Sequence, residues 1–279
     1  MSETNKTGRT AMIDITGKKE ELYPWIKKFS LEGKVALLIG AGSGLCREVA
    51  KGFAMSGAEC VLMDMNLASV QELSDELNAV GLKAEPYEGN VTVSEQVKGV
   101  VDYIVEKYKH LDIMINAAGI TRRAPLEELD EKAFDEVINV NLRGTFLAMK
   151  YAGGQMLKQE NGGSIINFGS LGSKVAIPNS SAYCASKGGV AMITKTAAVE
   201  WASRKVRVNA VAPGTYTTPL LQYCIDHDPE YADTLLKRFP IGRFGDPEEL
   251  VGAIVYLASD ASSFTTGVVL SVDGGCVAF

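Results

Sequence analysis

Histidine and tryptophan are nearly absent from this chain, with two copies of each in 279 residues. Five cysteines, Cys46, Cys60, Cys184, Cys224 and Cys276, are odd in number and scattered, with no C-x-x-C pair and no histidines at ligand spacing. That excludes a disulfide frame, and no metal site is expected. No apolar run approaches the roughly 20 residues that cross a bilayer, and the first residues lack the basic start and apolar middle of a secretory leader, so a cytoplasmic protein is expected. Basic charge is also short. The 28 Lys and Arg stand against 34 Asp and Glu, a net charge of −6 that offers no general attraction to nucleic acid or anionic lipid. What remains is a chain 46% hydrophobic and 22% charged, the composition of an ordinary globular protein with a sizeable core.

Short apolar runs alternate with longer amphipathic ones, the signature of repeated βαβ units. Strands are expected at 34–39, 59–64, 83–88, 112–116, 164–168, 205–212 and 268–272, and helices near 45–56, 67–79, 94–108, 132–159, 181–202 and 247–258. Most strand runs are too continuously apolar for a one-sided sheet, so helices should cover both faces. The fold class expected is α/β, a doubly wound, mostly parallel seven-stranded sheet of Rossmann-like type. Asp246 before Pro247, with Glu249 three residues on, reads as the N-cap of the last long helix. Residues 1–30 form a polar arm, 31–279 one catalytic domain, and the aromatic, aperiodic interval 213–245 a lid over substrate.

The stretch IGAGSGLCREVAKGFA, residues 39–54, places Gly40, Gly42 and Gly44 in the turn between the first strand and the first helix. Glycine there lets backbone N–H groups approach a pyrophosphate at a helix N-terminus. The second strand ends in Asp64, 20 residues beyond Gly44, the expected place for a carboxylate that accepts from ribose hydroxyls. A 2′-phosphate would meet like charge there, and Met65 and Asn66 supply no cation, so the cofactor expected is NAD. Cys46 stands where a further glycine is common. It reads either as a small packing residue or as a thiol activated by the helix N-terminus.

Tyr183 and Lys187 lie one helical turn apart in SAYCASKGGV, where a protonated lysine is expected to draw the phenol pKa down toward working pH. Tyr23/Lys27 and Tyr103/Lys107 repeat the spacing and read as surface or packing pairs. Only Tyr183 and Lys187 have company: Ser170, whose hydroxyl can bind a reacting carbinol or carbonyl oxygen, and Asn141, whose amide can hold a helix bend or a water that passes protons to the lysine. From about residue 31 onward the chain resembles the short-chain dehydrogenase/reductase family. The resemblance rests on GAGSGLC, on NAAG at 116–119, on Asn141, Ser170, Tyr183 and Lys187, and on APG at 212–214.

That resemblance implies catalysis by Asn141, Ser170, Tyr183 and Lys187, and a homotetramer. It implies cofactor contacts at Gly40, Gly42, Ser43, Gly44 and Leu45, at Asp64, and at Asn90 and Val91. Further contacts are implied at Asn116, Ala117 and Gly119, at Tyr183 and Lys187, and at Pro213, Gly214 and Thr218. Asn116 supports the central strand, Pro213 and Gly214 border the nicotinamide, and Thr218 meets its carboxamide. Three positions depart from the common pattern: Ile39 for threonine, Cys46 for glycine, and Asn90 for an aspartate, with the Asn90 amide oxygen still able to accept from adenine. AAGITRRAPLEEL and the C-terminal stretch resemble the gluconate 5-dehydrogenase and 2-dehydro-3-deoxy-gluconate 5-dehydrogenase group, with Arg122 and Arg123, beside Ser170 and Tyr183, as substrate residues. The reaction implied is hydride transfer between NAD and a secondary alcohol of a sugar acid or related polyol. Two competing readings are an acyl-carrier-protein ketoreductase and a catalytically silent NAD-binding regulator.

Overall fold

The computed structural model describes residues 25–218, 221–222, 225 and 229–278. Seven parallel strands, β1 (Val35–Ile39), β2 (Glu59–Asp64), β3 (Ala84–Glu88), β4 (Ile113–Asn116), β5 (Gly163–Phe168), β6 (Val206–Pro213) and β7 (Val269–Val272), lie in the order β3-β2-β1-β4-β5-β6-β7. The strand order reverses between β1 and β4, and there the connections leave to opposite faces and open a crevice at the carboxyl ends. Ile39, the last residue of β1, is in register with Asn116, the last of β4, and with Met63, one residue before the end of β2, so three strand ends meet at that crevice.

Strand alternation divides the core. Ala36 and Leu38 of β1 pack with Phe53, Leu73, Leu250 and Ile254 on one face, whereas Val35, Leu37 and Ile39 pack with Val97, Ile104, Leu147 and Ala198 on the other. The first face is covered by α1 (Gly44–Met55), α2 (Leu67–Ala79) and the last long helix. The second is covered by α3 (Ser94–Tyr108), α4, which starts at Glu131–Ile138, and α5 (Ser181–Trp201). A further helix, α6 (Pro229–Leu236), precedes the last, α7 (Glu248–Ala258).

Two helix expectations are corrected. The single helix expected over 132–159 winds through two π segments, Asn139–Arg143 and Met149–Gly153, and ends with Gly154–Met156. Glycines there allow close approach: a Cβ on Gly144 would stand 2.9 Å from Val91, and one on Gly153 2.5 Å from Trp201. At α7, Glu249 does reach back to the Asp246 N–H at 2.8 Å, but the Asp246 carboxylate caps no backbone group and instead accepts from the Thr217 hydroxyl at 3.1 Å. Of the expected arm, residues 1–24 lie outside the described residues, as do Tyr23 and Cys224. Ile26–Phe29 forms a 3-10 turn whose Phe29 ring meets Tyr256 at 6.4 Å.

Candidate active site

β1 runs into α1 through a turn that leaves no room for a side chain at Gly40 or Gly42. Gly40 has φ 83°, and a Cβ there would lie 2.7 Å from the Ala118 nitrogen; one on Gly42 would lie 2.2 Å from Ser69 Oγ and 2.9 Å from Asp64 Oδ2. Ser43, at the N-cap of α1, makes no side-chain capping bond, which leaves the first-turn N–H groups to an outside anion. Asp64 is fixed from two sides, its Oδ2 accepting from Gly42 N at 3.1 Å and its Oδ1 from Asn66 N at 3.0 Å. Packed glycines, an uncapped helix start and a fixed carboxylate fit the diphosphate and adenosine ribose of a dinucleotide.

A cleft of about 900 Å³ extends from this turn. Its walls include Gly40, Ser43, Gly44, Leu45, Asp64, Asn90, Val91, Ala117, Gly119, Arg122, Arg123, Tyr183, Gly214 and Thr218, all marked in the sequence. Gly42, Asn116, Asn141, Ser170, Lys187 and Pro213 are marked residues that do not line it. Asn116 donates to Thr145 Oγ1 at 2.7 Å, and Thr145 in turn donates to the Asn141 carbonyl at 2.6 Å. Pro213 is the buried last residue of β6.

Cys46 is only 2% exposed, and its Sγ lies 4.0 Å from the Ile39 carbonyl. Burial first, then the nearby Asp64 charge, push its thiol well above the ordinary range, so the packing reading holds and the activated-thiol reading is overturned. Asn90 lines the cleft, and its amide oxygen accepts from Thr92 N at 2.9 Å and Thr92 Oγ1 at 2.8 Å.

At the other end of the cleft, α5 presents Tyr183 to the opening and Lys187 one turn deeper. Lys187 is 4% exposed and spends one of its three donors on the Phe168 carbonyl at 2.7 Å. Burial pushes its ammonium down to about 8. Tyr183 is shifted opposite to expectation: burial pushes the phenol up, with the hydrogen bond from Ser170 pulling the other way. The Lys187 nitrogen faces the Phe168 carbonyl and lies 5.7 Å from the centre of the tyrosine ring. Ser170 ends the turn after β5, where its hydroxyl also accepts from Gly172 N at 3.2 Å.

Asn141 occupies the first π segment, fully buried, with its amide pairing both backbone groups of Ile120: Oδ1 accepts at 2.8 Å and Nδ2 donates at 2.9 Å. This ties the loop after β4 to α4. Gly119 is the enabling neighbour, since a Cβ there would sit 3.3 Å from Asn141 Oδ1 and 3.5 Å from Lys187 Nζ. Arg122 and Arg123 reach the cleft from the same loop, and Arg122 pairs with Glu136 at 3.0 Å. Glu136 was not legible as a site residue by itself. Its signal was helical spacing, because Glu136, Asn139 and Val140 recur on one face of α4 and all line the cleft. Tyr216, Leu221 and Leu235 complete the wall.

Of the sequence pairs that imitated the Tyr-x-x-x-Lys spacing, Tyr103 and Lys107 have other work, and Tyr23 lies outside the described residues. Tyr103 and Lys107 both bond to Glu85, with Tyr108 donating to the same carboxylate at 2.6 Å. Among the described residues, no three His, Cys, Asp or Glu form a metal-holding group, and no helix is long and apolar enough to cross a membrane.

A family model described as enoyl-(acyl carrier protein) reductase matches residues 40–277. The 3-oxoacyl-(acyl-carrier-protein) reductase of Thermotoga maritima is 44% identical over 248 residues, covering 88% of this chain and 99% of the relative. The gluconate 5-dehydrogenase of Gluconobacter oxydans is 40% identical over 247 residues, covering 88% and 96%. A crystal structure of a gluconate 5-dehydrogenase from Burkholderia cenocepacia, in complex with NADP and tartrate, superposes with a TM-score of 0.87 at 35% identity, covering 91% of this chain and 99% of that one. The chain belongs to the short-chain dehydrogenase/reductase family, oxidoreductases that act on CH–OH groups with a nicotinamide cofactor.

Proposed function

We propose that this enzyme reversibly oxidises a secondary hydroxyl of a sugar acid or related polyol with NAD. The observation that carries the reading is the placement of Arg122 and Arg123 in the same cleft that Tyr183 enters. A guanidinium meets a carboxylate with two parallel hydrogen bonds, which orients the acid as well as attracting it. The tartrate complex of the Burkholderia relative is a precedent for a hydroxy acid in this family.

The residues then divide the work. Bound NAD supplies the hydride acceptor. The Tyr183 phenolate oxygen takes the substrate hydroxyl proton, and in the reverse direction the phenol returns it. Ser170 donates to the reacting oxygen and holds it near Tyr183. Lys187 binds the cofactor ribose with the donors not used on Phe168, and Asn141 holds the helix bend and fixes the loop that carries the arginines, beside the path by which water exchanges protons with the lysine. Gly40, Gly42, Ser43, Gly44 and Leu45 hold the diphosphate, and Asp64 accepts from the ribose hydroxyls. Asn90, Val91, Asn116, Ala117 and Gly119 border the adenine and central stretch, and Pro213, Gly214 and Thr218 the nicotinamide. Asp64 also underlies the preference for NAD, since a 2′-phosphate would face its charge.

Residues 31–279 act as one catalytic unit in this reading, with 213–245 closing over substrate; Thr218, Leu221 and Leu235 of that interval already line the cleft. A homotetramer is supported by exposed Phe146 on α4 and exposed Met192 and Val199 on α5.

The Thermotoga maritima relative favours a second reading, reduction of a 3-oxoacyl thioester. A screen of NADH formation across aldonic acids, alditols and hydroxy acids, run beside reduction of an acetoacetyl thioester, separates the two. Turnover of an acid supports the proposal, and turnover of the thioester alone overturns it.

A further inference from the structure

The ribose end of the cleft is backed by an ion-pair cluster that the proposed chemistry does not use. Arg47 of α1 lies against α2, where Ser69, Glu72 and Glu76 recur at helical spacing on one side. Its Nη2 bonds Glu72 Oε1 and Glu76 Oε2, both at 3.0 Å, and its Nη1 donates to the Ser69 carbonyl at 3.3 Å. Lys51 joins from the next turn of α1, 3.2 Å from Glu76 and 3.4 Å from Glu48. Three carboxylates therefore surround two cations.

Ser69 connects this cluster to the cofactor site. Its hydroxyl oxygen is the atom a Cβ on Gly42 would strike first, at 2.2 Å, with the Asp64 carboxylate next at 2.9 Å. Arg47 is thus bonded to the residue whose side chain borders the ribose-binding carboxylate. The cations among the residues lining the cleft are Arg122 and Arg123, on the loop after β4, which β1 separates from β2. A 2′-phosphate at the ribose end would meet Asp64, while Arg47, whose Nη1 reaches the Ser69 carbonyl, is held by two carboxylates.

We propose that Glu72 and Glu76 are positioning residues for cofactor choice: by holding Arg47 on α2 they withhold a guanidinium from the adenosine ribose and reinforce the exclusion of a 2′-phosphate by Asp64. The inference rests on the NAD reading above. Both glutamates are exposed at their outer edges, 75% for Glu72 and 48% for Glu76, so replacing them with glutamine keeps the shape of α2 and disturbs little of its stability. The Arg47 side chain, 19% exposed, sits where its charge is less screened.

The test uses apo-enzyme and two probes, ADP-ribose and 2′-phospho-ADP-ribose, measured by titration calorimetry on wild type, Glu72→Gln, Glu72→Gln/Glu76→Gln, and the double variant carrying Arg47→Gln. Releasing Arg47 should tighten binding of the 2′-phosphorylated probe about tenfold, the order of one charge-assisted hydrogen bond opposed by the remaining Asp64. ADP-ribose should change by less than about twofold, and Glu72→Gln alone should give part of the gain. Raising the salt should shrink the gain. Adding Arg47→Gln should abolish it, a reversal that a merely structural role for the glutamates does not produce. Equal shifts for both probes, no shift for either, or a gain that survives loss of Arg47 would overturn the proposal. Wild type that binds the phosphorylated probe as tightly as ADP-ribose would overturn the NAD reading instead.

Discussion

Replacing Lys187 with methionine should stabilise the apo-enzyme near neutral pH while it destroys activity. The side chain is buried, with an ammonium pushed from the ordinary 10.5 down to about 8, a difference worth about 3 kcal/mol. Because the folded value lies below the unfolded one, the folded state disfavours the protonated form. Below about pH 8 both states hold the proton and the whole cost is present. Between about 8 and 10.5 the unfolded chain binds more protons, so stability rises with pH across that window, and above it the cost is gone. Methionine fills similar volume without charge but forfeits the hydrogen bond to Phe168, worth about 1 kcal/mol. The expected net gain at pH 7 is therefore about 2 kcal/mol, or roughly 4–8 °C in Tm for a chain of this size. Urea unfolding of both proteins at matched concentration from pH 6 to 10.5 reads the difference directly. A difference that stays flat with pH, or a methionine variant that is less stable at pH 7, would refute this account of the buried ammonium.

Tyr183→Phe should lower turnover by about 10²–10⁴-fold with cofactor binding nearly unchanged, whereas Tyr103→Phe, which loses only a bond to Glu85, should leave turnover intact. Because burial raises the Tyr183 phenol, alcohol oxidation should climb with pH through the alkaline range while ketone reduction does not; a flat oxidation profile would remove Tyr183 as the base. Gly42→Ala must displace Ser69 or Asp64, and should raise the NAD KM by about tenfold, the scale of one lost hydrogen bond to a charged group. Thiol reagents applied to native protein should leave Cys46 unmodified, as mass mapping after digestion would show.

The strands could be read from sequence because a sheet covered on both faces demands continuous apolar runs, and VALLI and IMIN have no other use. Asp64 was legible for a similar reason: a carboxylate ending an apolar strand, at a fixed distance from a glycine turn, has few structural excuses. The two π segments left no mark on the hydrophobic period, since one extra residue per turn shifts the pattern by less than its own scatter. Asp246 misled because Thr217, distant in sequence, competes for its carboxylate. Spacing placed Tyr183 and Lys187 on one face of α5, but only tertiary packing determines that Nζ points at Phe168 and that the phenol is buried deeply enough to be pushed up.

The central claim is that a guanidinium on the loop after β4 selects a sugar acid for oxidation by NAD. Initial rates with NAD on an aldonic acid and on the alditol that lacks only its carboxylate, for wild type and Arg123→Ala, test this most directly. Wild type should favour the acid, and the substitution should cost kcat/KM on the acid about 10–100-fold more than on the alditol, the equivalent of ~1.5–3 kcal/mol for one charge-assisted contact. Equal efficiency of wild type on the two compounds, with equal losses in the variant, would contradict it.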